Sequence, residues 1–244
     1  MKHVAKFITQ RVRKILEKPP NQKKRNVTLK TPEYQNRHAG RDFLILANGP
    51  SLRLCVDQLK EFADSVNPII MGANYIDDLF VPDYHAFTNR KRFCTYVNTV
   101  HEQSNLLVSP YFMVELVQNF WKRSYEEISF FGVWPGDKGQ MSIRDGIVYF
   151  EGAMTSQLLI GLAVVMGARK IYLAGFDGYK QNVEANYHYK ENNDYKTDWE
   201  FLQLANQRTQ EVLDSIRDDI LDGDANRLSI ITPTLFTDYQ VSVW

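Results

Sequence analysis

Asp42-Phe43-Leu44-Ile45-Leu46-Ala47 runs directly into Asn48-Gly49-Pro50-Ser51-Leu52. The apolar run predicts a buried strand, the Asn-Gly-Pro segment a turn, and residues from about Leu52 to Ala63 a helix. The same unit recurs along the chain. Strands are expected at Pro68–Gly72, Asp83–Thr88, Asn105–Ser109, Ile128–Val133, Ile143–Phe150, Lys170–Ala174 and Leu228–Ile231. Helices are expected over 90–101 and 111–124, with Pro110 in the first turn of the latter. A helix over 152–166 is apolar on nearly every side and so should be buried. Thr197 and Glu200 fit a capping box for a long helix over 198–222. Loops are expected at 134–139 and 178–196. Strands alternating with helices through short connections predict an α/β domain over 42–244, with a mainly parallel sheet and helices on both faces.

Length and composition allow such a domain. The chain has 244 residues, 44% hydrophobic and 24% charged, enough for a core without staples. Its two cysteines, Cys55 and Cys94, provide neither a disulfide framework nor a cysteine zinc site, which suits a reducing, cytoplasmic compartment. No stretch approaches the ~20 apolar residues of a membrane span, and no signal peptide is visible.

The formal charge of zero argues against general nucleic-acid binding. It is also the sum of two unlike pieces. Residues 1–41 hold twelve Lys/Arg and two acids, and residues 42–244 hold 17 bases and 27 acids. Val4, Phe7, Ile8, Val12, Ile15 and Leu16 recur at helical spacing, with Lys2, Lys6, Arg13 and Lys14 off the stripe. This predicts a basic amphipathic helix over 1–20, ended by Pro19-Pro20, and a polar linker over 21–41. Such a helix suits an anionic membrane surface, or packing on the domain or on a partner subunit in a homo-oligomer.

Parallel sheets of this kind bind ligands beyond the carboxyl ends of their strands, and the candidate motifs fall there. Gly49 lets backbone approach a ligand, and Ser51 near a helix start can bind an anion or cap the helix. The loop lacks the Gly-Lys-Ser/Thr ending of a Walker motif and is not GxGxxG. Asn74 suits a base or ribose. Thr88-Asn89-Arg90-Lys91-Arg92 suits an anionic ligand or a solvated helix start. Thr155 and Ser156 open the buried helix, as donors or as caps. Gly175 and Asp177 end the strongest strand, where Asp177 can meet ribose, a metal or a substrate hydroxyl, or brace the turn. Among the histidines, His85 reads as core and His101 as helix surface. His188 lies in the polar loop Asn186-Tyr187-His188-Tyr189 and suits a general base.

These motifs, in this order, resemble the bacterial sialyltransferases of the Campylobacter type. The resemblance covers roughly residues 42–235 and rests on Asn48-Gly49-Pro50-Ser51-Leu52, Asn74, Thr155-Ser156, Ile171-Tyr172-Leu173-Ala174-Gly175-Phe176-Asp177-Gly178-Tyr179 and the His188-Tyr189 loop. It implies a Rossmann-like domain and an inverting, metal-independent transfer of a nonulosonate sugar from a CMP-activated donor to a surface-glycan or lipid-linked acceptor. It implies that Asn48, Gly49, Ser51, Asn74 and Asn89 line the nucleotide, with Pro50 shaping their loop. Thr155 and Ser156 would contact the donor, Tyr179 and Tyr187 the departing phosphate, and His188 would be the base. The family carries an arginine two residues before the threonine. Here that residue is Ala153, so Arg90, Arg92 or Arg144 would have to supply the cation. The work would sit on the cytoplasmic face of the membrane, with residues 1–20 as the anchor.

The chain also resembles the 6-hydroxymethylpterin diphosphokinase-like proteins, through Gly49-Pro50-Ser51-Leu52 and the strand ending at Asp177. That likeness implies ATP, Mg²⁺ and an acidic cluster. Only Asp177 and Asp83 stand at predicted strand ends, and Asp77-Asp78 reads as helix surface. The acid count favours the metal-free reading. A third reading is a non-catalytic nucleotide-sugar-binding partner.

Overall fold

The computed structural model describes residues 33–131, 141–150, 154–181, 186–189 and 199–244. The basic helix over 1–20, most of the linker, the 134–139 loop, Ala153 and Thr197 lie outside them. The opening stretch forms strand β1, Asp42–Leu46, buried at every position. It pairs in parallel with β2, Ile69–Ala73, on one side and with β9, Lys170–Ala174, on the other. A central strand has two covered faces, which is why it reads as a continuous apolar run rather than an alternation.

The chain runs outward from β1 through β2, β3 (Tyr84–Phe87), β4 (Asn105–Val108) and β5 (Glu126–Glu127). It then returns to the far side of β1 as β9 and β10 (Leu228–Ile230), giving the order β10-β9-β1-β2-β3-β4-β5. Every pairing in this sheet is parallel. This is a Rossmann-like α/β sheet, and its direction of winding reverses between β1 and β9.

Alternation along the strands divides the core. Phe43 and Ile45 of β1, Tyr84 and Ala86 of β3, and Leu107 of β4 face helix α5, Thr155–Val165. Leu44 and Leu46 face α1 (Ser51–Leu54) and α2 (Val56–Val66). Phe87, Leu106 and Val108 face α3 (Arg90–Tyr96) and α4 (Val114–Phe120). Leu158, Leu159, Ile160 and Leu162 of α5 are at most 1% exposed. Each contributes roughly 1.5–3 kcal/mol of apolar burial. That explains a helix with no polar face.

Over α5 lies a second sheet built from β6 (Phe130–Phe131), β7 (Met141–Arg144) and β8 (Ile147–Phe150), in the order β6-β8-β7. The predicted single strand Ile143–Phe150 instead spans the turn and parts of both arms of a hairpin. Asp145 and Gly146 both take positive φ, 52° and 75°, and turn the chain between β7 and β8. Asp-Gly favours such a turn because its backbone twist matches the flanking strands. A Cβ on Gly161 would stand 2.7 Å from Met141 Sδ and 2.9 Å from Val148, so glycine sets how closely α5 meets this hairpin.

Three further boundaries differ from expectation. Pro110 sits in a turn closed by Phe112 N–H to the Ser109 carbonyl, and α4 starts only at Val114. Helix α6, Trp199–Ser215, passes into a π-helical turn at Ile216–Ile220. The end of the expected linker, residues 33–41, packs on the domain. Tyr34 is 2% exposed, and the N–H groups of Asn36, His38 and Gly40 donate to the carbonyls of Val165, Met166 and Gly167 at the end of α5.

Candidate functional site at the carboxyl ends of the strands

Beyond Leu46 the chain builds two polar clusters from adjacent residues. The first lies at the winding reversal between β1 and β9. Gly49 N–H donates to the Gly175 carbonyl at 2.9 Å, continuing the β1–β9 contact past the strands. Asp177 accepts from Ser51 N–H at 2.9 Å and from Ser51 Oγ at 2.5 Å. Ser51 Oγ also lies 2.9 Å from Thr232 Oγ1, which accepts from Gly175 N–H at 3.1 Å. All are buried. Burial pushes the Asp177 carboxyl above the usual carboxylate range, against the Ser51 hydrogen bonds. A Cβ on Gly49 would collide with the Asp177 carboxylate and stand 2.5 Å from the Gly175 carbonyl oxygen. Gly49, Ser51, Gly175 and Asp177 therefore form a closed brace. Of the roles open to Asp177, the geometry selects bracing, and both its oxygens are engaged.

The second cluster is a clasp across β1, β2, β3 and α5. Asn48 Nδ2 donates to the carbonyls of Ala73 and Tyr75 at 2.9 and 2.8 Å, using both hydrogens. Asn48 Oδ1 accepts from Asn74 Nδ2 at 3.3 Å and from Arg92 Nη1 at 3.4 Å. Asn74 Oδ1 accepts from Thr155 Oγ1 at 3.3 Å, and Thr155 Oγ1 lies 2.6 Å from Thr88 Oγ1. Since Thr155 donates to Asn74, Thr88 must donate to Thr155, and the bonds run one way from Thr88 to Asn48. Asn74 is able to reach both neighbours because its φ of 59° is left-handed, a region asparagine tolerates better than most residues. Among the described residues, the second Nδ2 hydrogen of Asn74 meets no acceptor.

His188 closes the clasp from the far loop. Its N–H donates to the Asn48 carbonyl at 2.9 Å, and its carbonyl accepts from Arg53 Nε at 3.2 Å. Its ring lies parallel to Tyr75, 6.0 Å between centroids, and its Nε2 stands 2.9 Å from the Tyr75 carbonyl oxygen. A carbonyl only accepts, so Nε2 carries the proton and Nδ1 the lone pair. That Nδ1 is buried and, among the described residues, meets no hydrogen-bond partner. Burial draws the imidazole below its ordinary 6.5, which keeps it neutral at pH 7. The group has the form of a base with its accepting nitrogen uncommitted.

Aromatic rings surround this point. Tyr75 packs on Tyr96 at 4.7 Å and on Tyr189 at 4.9 Å, and Tyr187 lies 5.6 Å from Tyr189. The Arg92 guanidinium sits 5.2 Å from the Tyr187 ring centroid.

The remaining expected residues divide. Asn89 caps α3 through Arg92 N–H and is exposed, which is the helix-start role. Pro50 precedes α1. Ser156 is buried in the first turn of α5. Tyr179 and Tyr187 approach each other, 6.5 Å between centroids, and Tyr179 N–H is held by Asn206 Oδ1 of α6. Of the arginines considered in place of Ala153, Arg92 reaches the clasp, whereas Arg144 lies over Tyr149 of the hairpin. Asp83 stands at the amino end of β3, where it accepts from Ile70 N–H, away from the site. Among the described residues, no three His, Cys, Asp or Glu side chains gather as a metal-binding group.

Residues missed in the sequence are Arg53, Tyr96, Asn206 and Thr232. Only Thr232, just past a predicted strand end, carried a positional signal. No family model matches this chain, and no curated protein is detectably similar to it.

Proposed function

We propose that the protein is a glycosyltransferase that takes a nonulosonate-type sugar from a CMP-activated donor, with inversion and without a metal. The observation that carries the reading is the hydrogen-bonded run of Asn48, Asn74 and Thr155 beyond β1 and β2, to which a neutral His188 is joined through the Asn48 and Tyr75 carbonyls. Neutral amides and hydroxyls with an unused donor suit a nucleotide's ribose and base. Arg92 and the hydroxyls of Tyr179 and Tyr187 suit a departing phosphate, whose developing charge needs fixed donors. His188 Nδ1 suits removal of a proton from a weakly nucleophilic acceptor hydroxyl. Because Nδ1 is buried, acceptor binding has to shift part of the aromatic cover.

The diphosphokinase reading is less well supported. Its strand-end acid, Asp177, is tied to Ser51 on both oxygens. The acceptor in this proposal is a surface glycan or its lipid-linked precursor. The basic segment 1–20 would hold the enzyme on the cytoplasmic face of an anionic membrane. No described helix is long and apolar enough to cross a membrane.

The test is a turnover screen with CMP-activated sugars and ATP, each with and without EDTA. EDTA-resistant release of CMP supports the proposal. EDTA-sensitive ATP turnover with inert CMP-sugars overturns it in favour of the diphosphokinase. CMP binding without turnover of any donor leaves the non-catalytic reading.

A further inference from the structure

His85 is a histidine where the fold asks for an apolar side chain. It lies in the middle of β3, 2% exposed, and its ring stacks on Phe87 at 5.2 Å and 8°. Phenylalanine would fill that place without a polar atom to satisfy. The imidazole instead buries Nδ1 with no partner among the described residues, an unfavourable arrangement in a core. Its other nitrogen is committed: Nε2 stands 2.5 Å from the Asn74 carbonyl oxygen. The acceptor there is a carbonyl, so the tautomer is Nε2–H.

Asn74 is thereby held at three points of its own peptide unit and side chain. Its N–H donates to the Ala86 carbonyl of β3, its carbonyl accepts from His85, and its carboxamide bridges Asn48 and Thr155. Holding it helps, because a left-handed φ of 59° costs asparagine less than most residues but still more than glycine. The same peptide leads into Tyr75, whose carbonyl receives both Asn48 Nδ2 and His188 Nε2.

We infer that His85 is a positioning residue of the clasp. Its Nε2–H fixes the Asn74 carbonyl, and so sets the Asn74 carboxamide against Asn48 and Thr155 and fixes where its second Nδ2 hydrogen lies. The inference rests on the nucleotide-binding reading only for what that hydrogen meets.

The experiment has two arms on the full chain. In the first, protein labelled with ¹⁵N at histidine and asparagine is followed by NMR with no ligand. His85 should show a protonated Nε2 and a lone-pair Nδ1, unchanged down to about pH 5. In His85→Phe the ring and its stack on Phe87 remain but the donor is lost, and the Asn74 carboxamide signals should move. In His85→Gln, which keeps an N–H donor, they should return towards wild type. A protonated Nδ1 in the wild-type protein overturns the inference even if His85→Phe does not fold, and so do unmoved Asn74 signals in a folded His85→Phe.

The second arm measures CMP binding by calorimetry. His85→Phe should weaken it about tenfold, a loss of one hydrogen bond's order, and His85→Gln should restore it to within about threefold. Equal affinity in all three proteins overturns the positioning role. A wild-type protein that ignores CMP overturns the nucleotide reading instead, while the first arm still decides the role of His85.

Discussion

Strand β1 ends in two polar clusters three residues apart, and they are built to opposite rules. The brace joins Ser51, Asp177, Thr232 and Gly175, and each described donor and acceptor finds a partner within it. The clasp joins Asn48, Asn74, Thr155 and Thr88, and among the described residues leaves a donor on Asn74 and a lone pair on His188 unspent. The brace occupies the winding reversal between β1 and β9, where a sheet of this kind is expected to hold its ligand. Here that crevice is filled by Gly49 and a carboxylate. The open valences lie one strand over, between β1, β2 and the start of α5. Saturated polar clusters stabilise a fold, whereas unsaturated ones have something left to bind with.

The sharpest way to separate the two is at His188. His188→Ala should lower CMP-sugar turnover about 100-fold or more while CMP affinity stays within about threefold. Single-turnover kinetics and calorimetry check this. Unchanged turnover removes His188 from the chemistry. On the brace side, Gly49→Ala drives a methyl into Asp177, with the Gly175 oxygen 2.5 Å away. It should cost about 3 kcal/mol or more of stability in urea unfolding.

The next test is acid unfolding. His85 titrates near 4 in the fold because burial disfavours its charge, against an ordinary value of 6.5. The unfolded chain thus takes up a proton first as pH falls. Stability is full above about pH 6.5 and should fall by about 3 kcal/mol by pH 4 through this group alone. His188, also drawn below 6.5, adds loss in the same direction. His85→Phe should flatten the acid limb, and an unaltered pH profile would contradict its burial as a neutral ring.

Asn74→Gly is milder. Glycine accepts the left-handed φ, so stability should hold within about 1 kcal/mol, while CMP binding weakens about tenfold through loss of the carboxamide. A proportional loss of both would place Asn74 with the brace. Smallest is Arg37→Ala. It breaks the 3.0 Å pair with Glu126 that ties residues 33–41 to β5, a half-exposed bridge worth less than about 1 kcal/mol.

The sequence made the parallel core legible because its signals were local. Asp42–Leu46 and Lys170–Ala174 are short apolar runs bounded by turn residues, and α5 is apolar all round because it is covered all round. The second sheet was hidden by a two-residue turn. A single strand over Ile143–Phe150 passes over Asp145-Gly146, although that pair flanked by Ile143 and Ile147 marks a hairpin. At the site, residue types at strand ends located Asn48, Asn74, Thr155 and His188. Their division from Ser51 and Asp177 was not legible. It depends on contacts across 126 residues of chain between Ser51 and Asp177, which no spacing encodes. His85 reads as core in the sequence and is buried in the fold. The hydrogen bond that makes it more than core belongs to the backbone of a residue eleven positions away.

The most direct test of the account is where a nucleotide lands. CMP titrated into protein with labelled asparagine side chains and backbone amides should shift the Asn48 and Asn74 carboxamides and leave the amides of Gly49, Ser51 and Gly175 nearly still. Shifts centred on Gly49, Ser51 and Gly175, with Asn74 unmoved, would contradict it and return the ligand to the crevice between β1 and β9.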